Sequence, residues 1–243
     1  MAGRRIDPSW FPLVVAHRGA SATHPENTLE AFEAAVRAGA KMVEFDVRLT
    51  ADGVPVILHD ADVSRTTDGR GLVHEITFEE LRRFSAGRWQ GRRLPVPSLR
   101  EALELLSGRA GVDIEIKHLP GEPGYDPARQ ATLQATLAEL HRVAFVGPVV
   151  ITSFDPSTVR RSRQLAPDVP TGLLTTASLP ADDALRLAAG ARHDLLLAEV
   201  DAVLAAGPAF VERVHAATIA TLFGWGVDAV ATNDPATALA AIG

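Results

Sequence analysis

Two carboxylates alternate with apolar residues in one short segment of the chain, Val43-Glu44-Phe45-Asp46-Val47. Because side chains alternate along a β-strand, Glu44 and Asp46 would share one face and the three apolar residues the other. Two carboxylates on a buried face repel each other unless a cation compensates them. Oxygen ligands favour a hard ion, Mg²⁺ or Ca²⁺. Taken alone, the segment fits a metal site and the solvated face of an edge strand equally well.

A second segment repeats the pattern, Asp113-Ile114-Glu115-Ile116-Lys117, with its charged side chains on one face and its isoleucines on the other. Charged residues on two separate strands are hard to explain as surface when parallel strands are covered outside by helices. Glu115 lies nearer the carboxyl end of its strand, where the sites of α/β barrels form, and is predicted to be a metal ligand. Asp113 would lie deeper and be hydrogen-bonded.

Two histidines directly follow strand-like runs, and both are candidates for acid–base chemistry. His17 follows the run that ends at Ala16, and His59 follows the run from Pro55 to Leu58. Histidines at strand ends can serve as general acid and general base near neutral pH. Arg18 can grip a phosphate with two parallel hydrogen bonds. The remaining histidines are predicted to be structural, namely His24, His74, His118, His141, His193 and His215.

These residues need a frame that gathers several strand ends, and the order of the predicted elements supplies one. Short β-rich runs alternate with amphipathic helical stretches, which implies parallel strands covered by helices. The predicted strands are Leu13 to Ala16, Lys41 to Val47, Val112 to Lys117, Val149 to Thr152, Thr171 to Leu174, Asp194 to Ala198 and Asp228 to Thr232. The prediction is an α/β, TIM-like (β/α) barrel in one domain over residues 1–243, one strand short of eight.

The pattern loosens over residues 60–97, which follow the extended run after the second strand. This segment is rich in Gly, Arg and Thr and holds one predicted helical stretch, around Phe78 to Phe84. It is long for a barrel connection, so it is interpreted as an inserted lobe. Capping boxes at Asn27–Glu30 and Ser98–Glu101 predict the starts of two helices, with Asn27 and Ser98 as N-caps.

Composition narrows the function classes. The chain has 243 residues, 47% of them hydrophobic, a formal net charge of -6 and no cysteine. Disulfides, thiol catalysis and thiolate zinc sites are therefore excluded. The negative charge argues against a nucleic-acid partner. No stretch approaches the roughly 20 apolar residues of a membrane span, so stable membrane insertion is not expected and a cytoplasmic location is.

Taken together, the motifs resemble the glycerophosphodiester phosphodiesterase family. In chain order they are His17-Arg18-Gly19, Pro25-Glu26-Asn27-Thr28, Glu44-Phe45-Asp46, His59-Asp60, Glu115-Ile116-Lys117, Ser153-Phe154 and Gly226-Val227-Asp228 running on to Thr232. No single motif is diagnostic, but the set is specific and spans almost the whole chain. The loose segment over residues 60–97 lies where that family carries its insertion.

The resemblance implies a reaction and a role for each residue. It implies an acid–base pair of His17 and His59, metal ligands Glu44, Asp46 and Glu115 for Mg²⁺ or Ca²⁺, phosphate contacts from Arg18 and Lys117, and a surrounding shell of Glu26 and Asn27. The substrate would be a small-molecule glycerophosphodiester. Its neighbouring glycerol hydroxyl would attack phosphorus, and water would open the cyclic phosphate to give glycerol 3-phosphate.

One region departs from that family. Its members usually have a further late strand that ends in a Trp-Thr motif, whereas here Ala209 to Phe223 has helical spacing and no strand precedes Asp228. The seventh strand is therefore predicted to be missing, and residues 209–230 to contain no strand. An open strand edge is a liability that a second copy could cover, which would make a homodimer.

Two alternatives to the hydrolase stay open. A phospholipase D-type lyase would resemble the same family in barrel, histidines and metal, and would stop at the cyclic phosphate. A phosphate-ester-binding pseudoenzyme would keep the site residues but not turn over. The sequence does not distinguish Mg²⁺ from Ca²⁺ or identify the released alcohol.

Overall fold

A computed structural model gives the structure of residue 11, residues 13–176 and, later in the chain, residues 178–179, 183, 186–187, 195–198 and 229–242. The strands are β1 Leu13–His17, β2 Met42–Leu49, β3 Pro55–Ile57, β4 Ser85–Trp89, β5 Arg92–Pro95, β6 Gly111–Ile116, β7 Val149–Ser153, β8 Thr171–Thr175, β9 Leu195–Ala198 and β10 Ala229–Thr232. The α-helices are α1 Leu29–Arg37, α2 Phe78–Leu81, α3 Leu99–Leu106, α4 Ala131–Arg142, α5 Pro156–Leu165 and α6 Pro235–Ile242.

The main sheet has the order β10-β1-β2-β6-β7-β8-β9, and every neighbouring pair along it is parallel. These seven strands confirm the predicted (β/α) architecture, which among the described residues is an incomplete barrel of the TIM-like type. β3 adds to β2 as an antiparallel strand. The register places Glu44 beside Asp113 and Asp46 beside Glu115, so both predicted acidic faces are one continuous surface.

The outer face of β2 forms the centre of the hydrophobic core. Val43, Phe45 and Val47 are fully buried, and the ring of Phe45 lies 5.4 Å from that of Phe32 on α1. The alternation that buries these residues turns Glu44 and Asp46 to the opposite, inner face. Replacing Phe45 with alanine would cost about 3–5 kcal/mol, as is usual for a buried aromatic residue.

One predicted helix start is confirmed and the other is wrong by one residue. Ser98 and Glu101 form the expected capping box of α3. The N-cap of α1 is Thr28, whose side chain accepts a hydrogen bond from the Ala31 amide. Asn27 instead has a left-handed backbone, with φ 57°, and its amide points inward to Asp46. The hydrogen bond to a buried carboxylate outweighs the capping preference of asparagine.

Residues 60–97 contain more structure than the sequence predicted. Besides α2 they hold 3₁₀ turns at Val63–Arg65 and Val73–Glu75 and the antiparallel hairpin β4–β5. The hairpin turn, Gln90-Gly91, has two positive φ angles, and this two-residue pattern was a usable signal that the sequence analysis missed. Val63, Leu81 and Val96 of this segment share a small apolar cluster with Val56 and Leu58, so the segment packs against β3, and the inserted lobe stays an interpretation.

The predicted missing strand lies largely outside the described residues. Of residues 209–230, only Ala229 and Val230 are described, and they belong to β10. The absence of a strand over residues 209–228, and the homodimer built on it, therefore stay predictions. In the described part of the chain, no helix is long and apolar enough to span a membrane.

Candidate active site

Three carboxylates meet on the inner face of the sheet. Glu44 and Asp46 project from β2 and Glu115 from β6, and their oxygen atoms lie within 4.8 Å of one another. All three residues are buried. The strand register produces this cluster, because Asp46 and Glu115 are paired neighbours. The three predicted metal ligands are thus close enough for one ion to bridge them.

Two basic side chains lie against the cluster. The Nζ atom of Lys117 lies 3.0 Å from Asp46 Oδ1 and 2.5 Å from Glu115 Oε1. The Nε atom of Arg18 lies 3.2 Å from Asp46 Oδ2, and the Arg18 backbone amide donates a 2.8 Å hydrogen bond to Glu44 Oε2. The turn that brings Arg18 here needs Gly19, since a Cβ at that position would lie 2.7 Å from Ala31.

Charge is unevenly balanced over the cluster. Burial acts to raise the pKa of Asp46, but Lys117 and Arg18 outweigh it and hold that pKa well below its usual range. Burial raises the pKa of Glu44, and repulsion from Asp46 and Glu115 raises it further. The Glu44 Oε1 atom is buried and accepts no hydrogen bond. An uncompensated buried oxygen beside two other carboxylates fits a hard divalent cation.

Asp113 lies deeper on the same face, as predicted. Its Oδ1 atom accepts a 2.8 Å hydrogen bond from Thr152 Oγ1 on β7. Asp113 is not among the carboxylates that could share an ion in the described part of the chain. Its charge nevertheless contributes to the raised pKa of Glu44.

His17 ends β1 and is buried against the last strand end. Its Nδ1 atom lies 2.7 Å from Asn233 Oδ1, which also accepts a hydrogen bond from Ser21 Oγ. Because an amide oxygen can only accept, the proton of this hydrogen bond lies on Nδ1 of His17. The His17 Nε2 atom lies 3.9 Å from Glu44 Oε2. Asn233 was not predicted as a site residue, although it directly follows a predicted strand, as both histidines do.

His59 follows β3 and is half-buried. Its Nδ1 atom lies 2.5 Å from Asp60 Oδ1, and a carboxylate can only accept, so Nδ1 carries the proton. Its backbone carbonyl accepts a 2.7 Å hydrogen bond from Arg48 Nε. Burial lowers the pKa of His59, against the opposing effect of Asp46.

The two residues of the predicted surrounding shell contact the site from the loop after β1. Asn27 Nδ2 donates a 2.7 Å hydrogen bond to Asp46 Oδ2. Glu26 accepts from Arg18 Nη1 at 3.1 Å and also pairs with Arg65 of the lobe. Both therefore hold site residues in place, whatever contact they make with a ligand.

Two of the described histidines outside this group have clear structural partners. His118 is buried, and its Nε2 atom accepts a 2.8 Å hydrogen bond from the Asp126 amide. His24 stacks on Trp89 with ring centroids 3.9 Å apart. His193 and His215 lie outside the described residues.

Comparison with known proteins identifies similarity to a single enzyme family. The model of the Glycerophosphoryl diester phosphodiesterase family matches residues 17–240 of the chain. A glycerophosphodiester phosphodiesterase from Caldanaerobacter subterraneus subsp. tengcongensis is 34% identical, over 93% of this chain and 95% of that protein. The Bacillus subtilis protein YhdW is 38% identical over 167 residues, which cover 67% of this chain and 65% of that protein.

A solved structure extends the similarity to the fold. A phosphodiesterase from Oleispira antarctica, solved in complex with the product sn-glycerol-3-phosphate, matches with a TM-score of 0.81 at 30% identity. The match covers 96% of this chain and 98% of that chain.

Proposed function

Because the chain belongs to the glycerophosphoryl diester phosphodiesterase family, we propose that it hydrolyses glycerophosphodiesters to glycerol 3-phosphate and an alcohol in a metal-dependent reaction. The observation that carries the proposal is the buried cluster of Glu44, Asp46 and Glu115, with His17 Nε2 3.9 Å from Glu44 Oε2 and with His59 near enough for the charge of Asp46 to raise its pKa against burial. The Oleispira antarctica phosphodiesterase has a similar fold and binds its product, sn-glycerol-3-phosphate, which supports the same reaction for the present protein.

Glu44, Asp46 and Glu115 would hold the ion, and the set of carboxylate oxygens suits Mg²⁺ or Ca²⁺. A bound divalent ion supplies electrostatic stabilisation of the negative charge that develops on the phosphoryl oxygens. With such an ion, Arg18 and Lys117 make the site neutral to slightly positive, which suits a singly charged phosphodiester. These two side chains, already held at the cluster, would orient the phosphate.

The two histidines divide the proton transfers. One histidine takes the proton of the glycerol hydroxyl next to the phosphate, and the hydroxyl oxygen forms a new bond to phosphorus. The bond between phosphorus and the oxygen of the departing alcohol breaks, and the other histidine gives a proton to the alcohol oxygen. Water then opens the cyclic phosphate with the two roles exchanged, so both histidines return to their starting states. Hydrogen bonds from Nδ1 to Asn233 and to Asp60 fix the orientation of the two imidazole rings.

The test is release of glycerol 3-phosphate from a panel of glycerophosphodiesters, before and after treatment with EDTA. We expect turnover in Mg²⁺ or Ca²⁺, none after EDTA, and recovery on adding either ion. Full activity in a verified metal-free sample would refute the metal requirement. Phosphorus NMR of the products decides between hydrolysis and a lyase that stops at the cyclic phosphate, and absence of turnover with every substrate would indicate a pseudoenzyme.

A further inference from the structure

One arginine of the lobe connects two segments of the site through hydrogen-bonded ion pairs. Arg65, in the 3₁₀ turn Val63–Arg65, donates from Nη1 and Nη2 to the two carboxylate oxygens of Glu26, at 3.1 and 2.8 Å. It also pairs with both oxygens of Asp60, through Nε and Nη2. A single guanidinium thus holds a carboxylate from the loop after β1 and another from the end of β3.

The second of these carboxylates, Asp60, is hydrogen-bonded to His59. Asp60 Oδ1 lies 2.5 Å from His59 Nδ1. Burial acts to raise the pKa of Asp60, but hydrogen bonds from Arg65 and His59 lower it to about 2, so the group is ionised throughout the neutral range. Glu26 anchors the other side of the guanidinium and is itself tied to Arg18 at 3.1 Å.

The geometry depends on the shape of the arginine side chain. A planar guanidinium has five donors in a fixed fork and can bind two carboxylates at once, whereas a lysine ammonium acts as a point charge. Without the fork, Asp60 and Glu26 would face each other as like charges, and Asp60 would be free to turn away from His59.

We infer that Arg65 is a positioning residue, which fixes the orientation of His59 through Asp60. This inference rests on the proposed function for its kinetic consequence, but not for the geometry it asserts. Arg65 touches no reacting atom, so its removal should lower kcat more than it changes KM.

The kinetic arm compares Arg65→Gln and Arg65→Lys with a matched control, Arg109→Gln. Arg109 makes a similar pair of hydrogen bonds with Glu33, and its side chain is 39% exposed against 46% for Arg65. In the described part of the chain, Glu33 contacts no residue of the site. We expect Arg65→Gln to lower kcat about 10-fold, a part of the roughly 10²-fold or more that a general acid or base contributes. Arg65→Lys should recover part of that loss, KM should stay within about twofold, and the control should behave as wild type.

A double-mutant cycle tests the route through Asp60. If Arg65 acts on His59 through that carboxylate, the double variant Asp60→Asn/Arg65→Gln should be no slower than Asp60→Asn alone. Multiplied losses, or a kcat of Arg65→Gln within twofold of wild type, would overturn the inference.

A measurement without turnover separates this inference from the proposed function. The His59 Nδ1 proton, hydrogen-bonded to a carboxylate, should give a downfield proton resonance by NMR, identified by its loss in His59→Asn. We expect it to broaden or vanish in Arg65→Gln and to persist in Arg109→Gln. Persistence in Arg65→Gln overturns the positioning role even if the wild type shows no activity, whereas an inactive wild type with the expected NMR result overturns the proposed function alone.

Discussion

The site has two parts that are built in opposite ways. The floor consists of side chains that project from or directly follow strands β1, β2 and β6, and all are buried: His17, Glu44, Asp46, Glu115 and Lys117. The rim consists of residues in loops and in the lobe, all partly exposed: Glu26, His59, Asp60 and Arg65. Each part supplies one of the two histidines.

The difference between them is the balance of charge. On the rim, Arg65 pairs with both carboxylates, and their oxygens are satisfied by hydrogen bonds within the protein. On the floor, carboxylates outnumber the basic side chains, and Glu44 keeps a buried oxygen without a hydrogen bond. A region whose carboxylates are all hydrogen-bonded within the protein holds its side chains in fixed positions, whereas a region with excess negative charge can bind a cation.

The largest effect we expect comes from removing one of the proposed metal ligands on the floor. Glu115→Gln keeps the size of the side chain but removes a carboxylate charge from the proposed metal site, and should lower kcat/KM about 10³-fold, the equivalent of several kcal/mol of metal stabilisation. The control is Asp113→Asn, two residues deeper on the same face of β6, for which we expect a loss below about 10-fold on the same scale. Steady-state kinetics at saturating metal measure both, and equal losses would show that the acidic face acts as a whole.

The next effect concerns the two histidines, one from each part. His17→Ala and His59→Ala should each lower kcat at least about 10²-fold, the lower end for losing a general acid or base. Circular dichroism and thermal melting check that each variant is folded. Near-normal kcat in either one would remove that histidine from the mechanism, and with it the claim that floor and rim share the proton transfers.

The choice of leaving group should then separate the two histidines. Burial lowers the pKa of His59, but its Nδ1 is paired with the ionised Asp60, whereas the Nδ1 of His17 is paired with the neutral amide of Asn233. Because only the Asp60 carboxylate gains from a positive charge on its histidine, we expect His59 to be the acid for the departing alcohol. A p-nitrophenyl leaving group needs little protonation. With that substrate the loss in His59→Ala should shrink at least about 10-fold, while the loss in His17→Ala persists. The reverse pattern would exchange the roles.

The floor could be predicted from sequence because its logic is local. A period of two along β2 and β6 puts Glu44, Asp46 and Glu115 on one face, and parallel pairing then brings the two strands into register. The seven parallel strands were predicted from the alternation of short β-rich runs with amphipathic helical stretches along the chain. Even here Asn27 was misassigned as an N-cap, because a tertiary hydrogen bond to Asp46 overrides a local preference.

The rim could not be predicted in this way. The pairing of Arg65 with Glu26 joins residues 39 positions apart in irregular segments. The same limit applies to one contact of the floor, that of His17 with Asn233, which are 216 positions apart. No periodicity links such residues, since their meeting depends on loop paths that only the folded lobe and barrel define. His59 was identified from its position after a strand-like run and Glu26 from the family resemblance, but the arginine that connects them was not predicted.

The floor should cost stability when no metal is present. Burial and neighbouring carboxylates raise the pKa of Glu44, so the metal-free protein should lose stability as pH rises from the unfolded-state pKa, near 4.5, through the raised folded-state value. Glu44→Gln removes this loss and should stabilise the metal-free protein at pH 8 by at least about 1 kcal/mol, the equivalent of one pKa unit.

Thermal melts in EDTA between pH 5 and 8 test this, with wild type and Glu44→Gln compared at each pH. We expect the two curves to diverge as pH rises, and the order of stability to reverse on adding metal, which only the wild type should bind tightly. Parallel curves in EDTA would mean that Lys117 and Arg18 already neutralise the floor.

The smallest effect belongs to the rim. Because Arg65 and His59 lower the pKa of Asp60 to about 2, its ion pair contributes stability above the ordinary value of 3.8 and loses it as pH falls through 2. Asp60 is partly exposed, so Asp60→Asn should cost less than about 1 kcal/mol. The cost should not fall between pH 8 and 5, because protonation of His59 strengthens its pair with Asp60, and it should shrink towards pH 3. It should also be the same with and without metal, because the rim satisfies its own charges. A cost that appears only in the metal-bound protein would show that the rim, like the floor, is completed by the ion, and the division between the two would no longer hold.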